Sequence, residues 1–182
     1  MENNGIGKLF EGVDRWTVLI YVLIVLVGFV AILSASYEEG AESIFSFSHF
    51  YMKQLVWMGI SFAVAVVVLL VDASIYHKWA YLFYVLGLLT LVAALLFGRE
   101  VNGAKAWFEI GSVRIQPVEF AKIATALALA RVMSSSSFSI NRAGDLFKVG
   151  LVICLPLLII VMQNDTGSGI VLVSLLFVLY RE

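Results

Sequence analysis

Two residues of opposite charge, Glu119 and Lys122, stand three positions apart in an otherwise mostly apolar run, 117–133. On a helix that spacing puts them on one face, within ion-pair reach. A carboxylate and an ammonium held together can take and return a proton, or grip a substrate of mixed charge. The run has a marked beginning. Pro117 suits the first helical position, where its missing N–H has no partner to lose. With Gln116 as the cap, Glu119 falls at the third position, where the helix dipole favours a carboxylate and the cap N–H is within reach. Two readings follow: a capping carboxylate with its neighbouring ion pair, or an acid–base pair lining a substrate cavity. Charge at the centre of a membrane span costs at least about 2.5–3.5 kcal/mol, which favours a functional role for such residues. One or two turns from the edge the cost is smaller, and one pair could serve both purposes.

Two cations precede the pair. Segment 101–116 sets Lys105 and Arg114 among two glycines, a tryptophan and alternating apolar residues. That pattern predicts a short structured loop or small hairpin. Lysine and arginine there would bind an anionic headgroup or a phosphate by charge-assisted hydrogen bonds. Alternatively they snorkel to ordinary phospholipid, the simpler reading of the loop alone. A third polar site is the turn Gln163-Asn-Asp-Thr-Gly-Ser-Gly169. Pro156 upstream loosens its helix, and the glycines permit close backbone approach. Asp165 directly precedes Thr166 and suits the cap of a following helix; its functional alternative is a polar patch on the rim of a cavity. His49, His77 and the single cysteine, Cys154, show no metal-ligand spacing, and Cys154 has no partner for an internal disulfide.

The elements that must hold these residues are membrane spans. The 182 residues are 62% hydrophobic and 14% charged, against about 45–50% and 25% in an ordinary soluble domain. A net charge of −1 leaves no basic excess for a nucleic-acid partner. Residues 1–15 lack the layout of a cleaved signal, so the first apolar run reads as a retained span. Crossing the hydrocarbon core takes about 20 apolar residues. Runs 16–33, 55–71 and 79–97 qualify, and Trp16 and Trp79 open two of them at the depth an indole prefers. Run 117–133 carries Glu119, Lys122 and Arg131, and reads as a charged span or a surface helix. Runs 146–162 and 166–180 are separated only by residues 163–165. The second reaches about 22 Å, short of a core of about 30 Å. This last pair is either two tilted spans or a re-entrant hairpin buried against other helices.

With six spans and the N-terminus inside, the inner segments carry Lys8, Arg15, Lys78, Arg131, Arg142, Lys148 and Arg181. The outer segments carry Lys53, Arg99, Lys105 and Arg114, and the first outer loop is acidic through Glu38, Glu39 and Glu42. That bias follows the positive-inside rule. The expectation is one all-α integral membrane domain over residues 1–182, N-in and C-in, with the serine-rich stretch 134–139 in a cytoplasmic loop.

The run Asn102-Gly-Ala-Lys-Ala-Trp-Phe-Glu-Ile-Gly-Ser-Val-Arg-Ile-Gln-Pro-Val-Glu-Phe-Ala-Lys122 resembles the NGA-(K/R)-RWI-x-LG…QPSEFAK signature of the SEDS family, the RodA, FtsW and SpoVE membrane proteins of bacterial wall synthesis. Phe50-Tyr-Met-Lys-Gln-Leu-Val-Trp57 resembles the start of that family's second span, Gln163-Asn-Asp-Thr-Gly167 its QPDLG turn, and Ser34-Ala-Ser36 the small-residue end of its first span. Ala-Thr-Ala-Leu-Ala-Leu-Ala130 and Leu179-Tyr-Arg-Glu182 look most like the RodA branch, which serves elongation. Three positions depart. Ala106 stands for the usual Arg before Trp107, Val118 for the Ser of QPSE, and Asn164 for the Pro of QPD. The first weakens any phosphate clamp built on a basic pair.

The resemblance implies a peptidoglycan glycosyltransferase that polymerises lipid II, the undecaprenyl-pyrophosphate-linked precursor, at the outer face of the bacterial cytoplasmic (inner) membrane. Joining a sugar hydroxyl to an anomeric carbon with pyrophosphate leaving needs a carboxylate base and cationic or metal help. No cofactor is evident in the sequence, and a divalent cation would meet that need. The family fold has about ten spans, of which residues 1–182 would be the N-terminal part. Its catalytic Asp, in a large outer loop, falls beyond residue 182, so residues 1–182 alone are expected to be inactive. By motif match Glu119 and Lys122 take the place of the intramembrane Glu and Lys that shape the lipid cavity, and Asp165 that of the QPD acid. Lys105 and Arg114 are weaker headgroup contacts. The expected partners are lipid II, a class B penicillin-binding transpeptidase and the membrane proteins of the elongation complex. Two other functions fit the same features: a transporter (flippase) of lipid II, and a non-catalytic scaffold for the transpeptidase.

Overall fold

The structure, a computed structural model, describes residues 14–36, 50–111 and 113–177. Lys8, the acidic residues Glu38, Glu39 and Glu42, His49, Arg181 and the stretch 179–182 lie outside the described residues. The described chain forms α1 (Arg15–Ser36), α2 (Phe50–Leu70), α3 (Ala73–Phe97), β1 (Arg99–Val101), β2 (Ala104–Ile110), β3 (Val113–Ile115), α4 (Pro117–Met133), α5 (Ala143–Met162) and α6 (Thr166–Val173). In hydrocarbon no water satisfies a bare backbone, so long apolar runs close their hydrogen bonds internally as helices. Helices α1, α2, α3 and α5 are long and apolar enough to cross a membrane. The protein is an all-α integral membrane protein carrying one small sheet. Of the two remaining expected spans, α4 has 17 residues. Among the described residues of region 166–180, eight form α6, which covers about 12 Å. A turn at Ser174 and Leu175 follows, and residues 176–177 are helical again.

The chain folds as two compact units, Met1–Asp72 and Ala73–Glu182. In the first, α1 packs against α2. Asp14 opens α1 by accepting hydrogen bonds from the Thr17 hydroxyl at 2.6 Å and the Trp16 N–H at 3.1 Å. That is the role a capping carboxylate plays at exposed helix donors.

In the second unit α4 packs against α3 and α5, and α5 against α3 and α6. Polarity does not select the inner faces here, because the outer faces are apolar too. Residue size does. The buried stripe of α4 is Pro117, Val118, Ala121, Ala124, Thr125, Ala128 and Leu129, at the three- and four-residue spacing of one helix face. Its bulky Phe120 and Ile123 point outward. Gly87 of α3 meets this stripe so closely that a Cβ there would stand 3.3 Å from the Ala121 Cα, the kind of approach small residues permit between membrane helices. Run 117–133 is therefore a packed helix of the bundle. Two cores result, one around Ala128, Leu129, Val149 and Ile153, the other around Leu91, Val118, Ile160 and Leu172. The Tyr84 hydroxyl donates to the Val152 carbonyl at 3.0 Å, tying α3 to α5.

Between α3 and α4 the chain makes a three-stranded antiparallel sheet in the order β1-β2-β3. Val101 pairs with Ala104 across Asn102-Gly103, whose φ values are 54° and 85°. Two positive values mark the tight hairpin turn that Asn-Gly favours. After Ile115 only Gln116 intervenes before α4, so the sheet and the charged first turn of α4 are set by one short stretch of chain.

Candidate functional site

The sequence-expected residues gather at the sheet end of the second unit, where three long-range hydrogen bonds converge on residues 163–165. The Gln163 amide donates to the Leu91 carbonyl of α3 at 2.7 Å. The Lys105 N–H of β2 donates to the Gln163 carbonyl at 2.9 Å. The Gln116 amide donates to Asp165 Oδ2 at 2.8 Å. Gln163 is buried, and its Oε1 has no partner among the described residues.

The turn that delivers these residues is built by the end of α5. Asn164 takes a left-handed φ of 59°. Its N–H bonds to the Val161 carbonyl, and that of Asp165 to the Ile160 carbonyl, the pattern by which a left-handed residue closes a helix. Proline, locked near −65° and lacking the N–H, cannot make this turn. The Asn164 departure from the QPD motif thus changes how the helix stops. Asp165 then caps α6: Oδ1 accepts from the Ser168 N–H at 3.2 Å and Oδ2 from the Ser168 hydroxyl at 2.8 Å. With the Gln116 amide added, both carboxylate oxygens are in use.

Glu119 and Lys122 form the expected ion pair at 2.8 Å, with the ammonium largely covered and the carboxylate more open. The bond expected from the Gln116 N–H to the Glu119 carboxylate does not form. Gln116 makes no side-chain cap bond at its own helix. Its amide goes to Asp165, a charged acceptor and the stronger partner, while the Glu119 carboxylate turns to Lys122.

The two loop cations are placed differently from each other. The Lys105 ammonium donates to the Leu96 carbonyl at 3.1 Å, where the last turn of α3 presents orphan carbonyls that attract positive charge. The Arg114 guanidinium binds Glu109 at 2.8 Å, and Arg99 binds the second oxygen of the same carboxylate. Glu109 is held below its ordinary pKa of 4.5, first by the Arg114 hydrogen bond and then by Arg99. Glu109 has no role in the sequence reading, and Arg99 only counts there among the outer cations. Their signal was nevertheless present: Glu109 and Arg114 flank a glycine turn and pair directly across β2 and β3, where opposite charges attract.

Two cavities flank these groups. One, of about 490 Å³, is lined at the sheet by Phe97, Arg99, Trp107 and Glu109. The other is an apolar groove of about 300 Å³ between α3 and α4, lined by Phe83, Gly87, Thr90, Phe120 and Ile123 among others. Phe120 and Ile123 are the next residues after Glu119 and Lys122, so the ion pair and the groove share two turns of one helix. Among the described residues no three His, Cys, Asp or Glu side chains come together as a metal site.

These features define a multi-pass membrane protein with a charged sheet, an ion pair at a helix start and an apolar groove beside it. Residues 14–181 match the family model of FtsW, RodA and SpoVE, described as "Cell cycle protein", and the chain belongs to that family. It is 28% identical over 173 residues to a probable peptidoglycan glycosyltransferase FtsW of Thiomicrospira cyclica, covering 92% of this chain and 45% of the relative. It is 38% identical over 136 residues to the peptidoglycan glycosyltransferase RodA of Treponema pallidum, covering 71% of this chain and 30% of the relative. A solved structure described as "Structural coordination of polymerization and crosslinking by a peptidoglycan synthase complex" matches with a TM-score of 0.75 at 28% identity, over 90% of this chain and 45% of that one. The chain spans less than half the length of these proteins.

Proposed function

We propose that residues 1–182 form the N-terminal spans of a peptidoglycan glycosyltransferase of the RodA type, which extends glycan strands from lipid II in the bacterial cytoplasmic membrane. The observation that carries this reading is a likeness in both sequence and fold to proteins named for that activity, running through nearly the whole chain. The higher identity to a RodA favours the elongation branch.

The geometry supplies parts that suit such a substrate. The apolar groove between α3 and α4 has the chemistry of a polyprenyl chain. The Glu119–Lys122 pair beside it would meet the polar end, with Lys105 and Arg114 as outer contacts for the diphosphate. Departing pyrophosphate calls for positive charge, which these cations or a divalent ion would supply. Asp165 acts from behind: through Gln116 it sets where the first turn of α4, and so Glu119 and Lys122, stands. A class B penicillin-binding transpeptidase and elongation-complex proteins are the partners this reading assigns. The polymerising and crosslinking complex among the matched structures supports the first of them.

The test uses the full-length protein in proteoliposomes with fluorescent lipid II. Glycan polymer is expected, and Glu119→Ala and Lys122→Ala should each lower its rate by about tenfold, the worth of one charge-assisted contact. Wild-type rates in both variants would remove the pair from the site. Leaflet exchange of lipid II without polymer would overturn the polymerase reading in favour of transport, and rescue of cell shape by a double variant that makes no polymer would overturn it in favour of a scaffold.

A further inference from the structure

A second polar site lies at the opposite end of the same helices. Tyr81 in the early turns of α3, Arg131 in the last turn of α4, and Lys148 near the start of α5 enclose a cavity of about 150 Å³ with Ser135, Ser137 and Phe138. Tyr81 precedes Phe97 by 16 positions, about 24 Å along α3. The cavity and the sheet are therefore separated by most of a hydrocarbon core.

Arg131 is fixed in place without a ligand. Its Nη1 donates to the carbonyls of both His77 and Lys78, and its guanidinium lies 4.6 Å over the Tyr81 ring. A guanidinium has five N–H donors, and both carbonyl bonds come from one nitrogen. The remaining edge is the planar fork that takes a phosphate through two parallel bonds. Lys148 is the second cation. The single carboxylate of the cavity, Asp145, accepts from Lys148 at 2.9 Å and from the Ser139 N–H at 3.2 Å, so two positive charges face one negative. The Ser135 and Ser137 hydroxyls lie 3.0 Å apart. One donates to the other, which leaves one hydroxyl hydrogen for a third party. The opposite wall is apolar: Val132 and Phe138 pack on the core around Leu129 and Ile153.

We propose that this cavity is a phosphate site at the membrane boundary, filled by the headgroup of an anionic phospholipid or by free phosphate. Its volume corresponds to about five waters, enough for the five heavy atoms of a phosphate group. Basic pockets between helix ends are where anionic headgroups bind. The apolar wall beside the cations suits the glycerol and first methylenes of a lipid. This inference rests on residues remote from the sheet end and does not depend on the glycosyltransferase reading.

The test is native mass spectrometry of the full-length protein released from nanodiscs containing phosphatidylglycerol and phosphatidylcholine, repeated with inorganic phosphate added. Retention of phosphatidylglycerol over phosphatidylcholine is expected. Arg131→Gln should lower it about tenfold, the value of one charge-assisted bond. Lys78→Gln removes the same charge at the same end but outside the cavity lining, and should leave retention unchanged. Ser135→Ala with Ser137→Ala should weaken it while leaving the backbone bonds of the loop in place, because Arg142 meets Ser137 through its carbonyl. Binding of inorganic phosphate that Arg131→Gln abolishes, with no lipid preference, would assign the site to free phosphate. Equal retention in wild type and Arg131→Gln, or equal loss in Arg131→Gln and Lys78→Gln, would overturn the proposal.

Discussion

Replacing Asp165 by alanine removes three hydrogen bonds from the junction of α4, α5 and α6. The cap bond to the Ser168 N–H is worth about 1 kcal/mol. The bond from the Gln116 amide to a charged, half-buried acceptor contributes about 1.5 kcal/mol, the low end for such bonds. The Ser168 hydroxyl and the freed amide recover some of this from water. The net cost is then about 2 kcal/mol, which lowers the melting temperature by about 4–8 °C in a chain of about 150–250 residues and by about half that in one twice as long. Asp165→Asn keeps an oxygen for the cap, and asparagine caps about as well as aspartate, but its NH2 cannot accept from the Gln116 amide as Oδ2 does, so more than half of the drop should remain. Thermal unfolding of the full-length protein in detergent, followed by tryptophan fluorescence, measures both. Gln116→Ala supplies the control, since the two variants share one bond. Their double variant should fall short of additivity by about 1–1.5 kcal/mol. Wild-type melting in Asp165→Ala, or full additivity with Gln116→Ala, would refute the reasoning. Equal loss of activity in Asp165→Ala and Gln116→Ala would place the effect of Asp165 in position, through the bond the two residues share.

The Glu109 carboxylate should titrate below 4.5, seen as the midpoint of its carbon chemical shift, with Arg114→Gln raising it more than Arg99→Gln. Because the folded pKa is depressed, its stabilisation is complete above the ordinary value and is lost as pH falls through the lowered one; a midpoint at or above 4.5 would contradict the ion triad. At Asn164, glycine should be tolerated and proline should cost about 3 kcal/mol or more, since φ is 59° and the N–H is bonded to Val161. Equal melting temperatures for Asn164→Pro and Asn164→Gly would sink that account of the turn.

Much of the bundle was legible because membrane spans announce themselves by the length of their apolar runs. Helices α1, α2, α3 and α5 enclose the runs read from sequence apart from Val71, just past the end of α2. The packing of α4 was not, since its buried stripe differs from its outer face in residue size and hardly in polarity. Asp165 as a cap was readable from its place before Thr166. Its bond to Gln116 was not, because 49 residues separate the two and local spacing cannot see across that gap. The expected bond from the Gln116 N–H to Glu119 is absent for a local reason, since the Glu119 carboxylate pairs with the Lys122 ammonium instead. Asn164 stood out as a departure from a motif, but only its backbone angle shows that the departure alters the turn.

The three bonds that meet at residues 163–165 also order the assembly of the protein in time. Leu91, Lys105 and Gln116 all leave the ribosome well before the turn to which they are fastened. A small sheet of short strands has little stability of its own in the meantime. The charged segment between α3 and α4 thus waits, tied to α3 by the Lys105–Leu96 bond but not yet to residues 163–165, until α5 has been made to its last residue. Arrival of Gln163 and Asp165 then fastens three earlier parts of the chain together, and the interval before that arrival is when the segment is most open to proteases and chaperones.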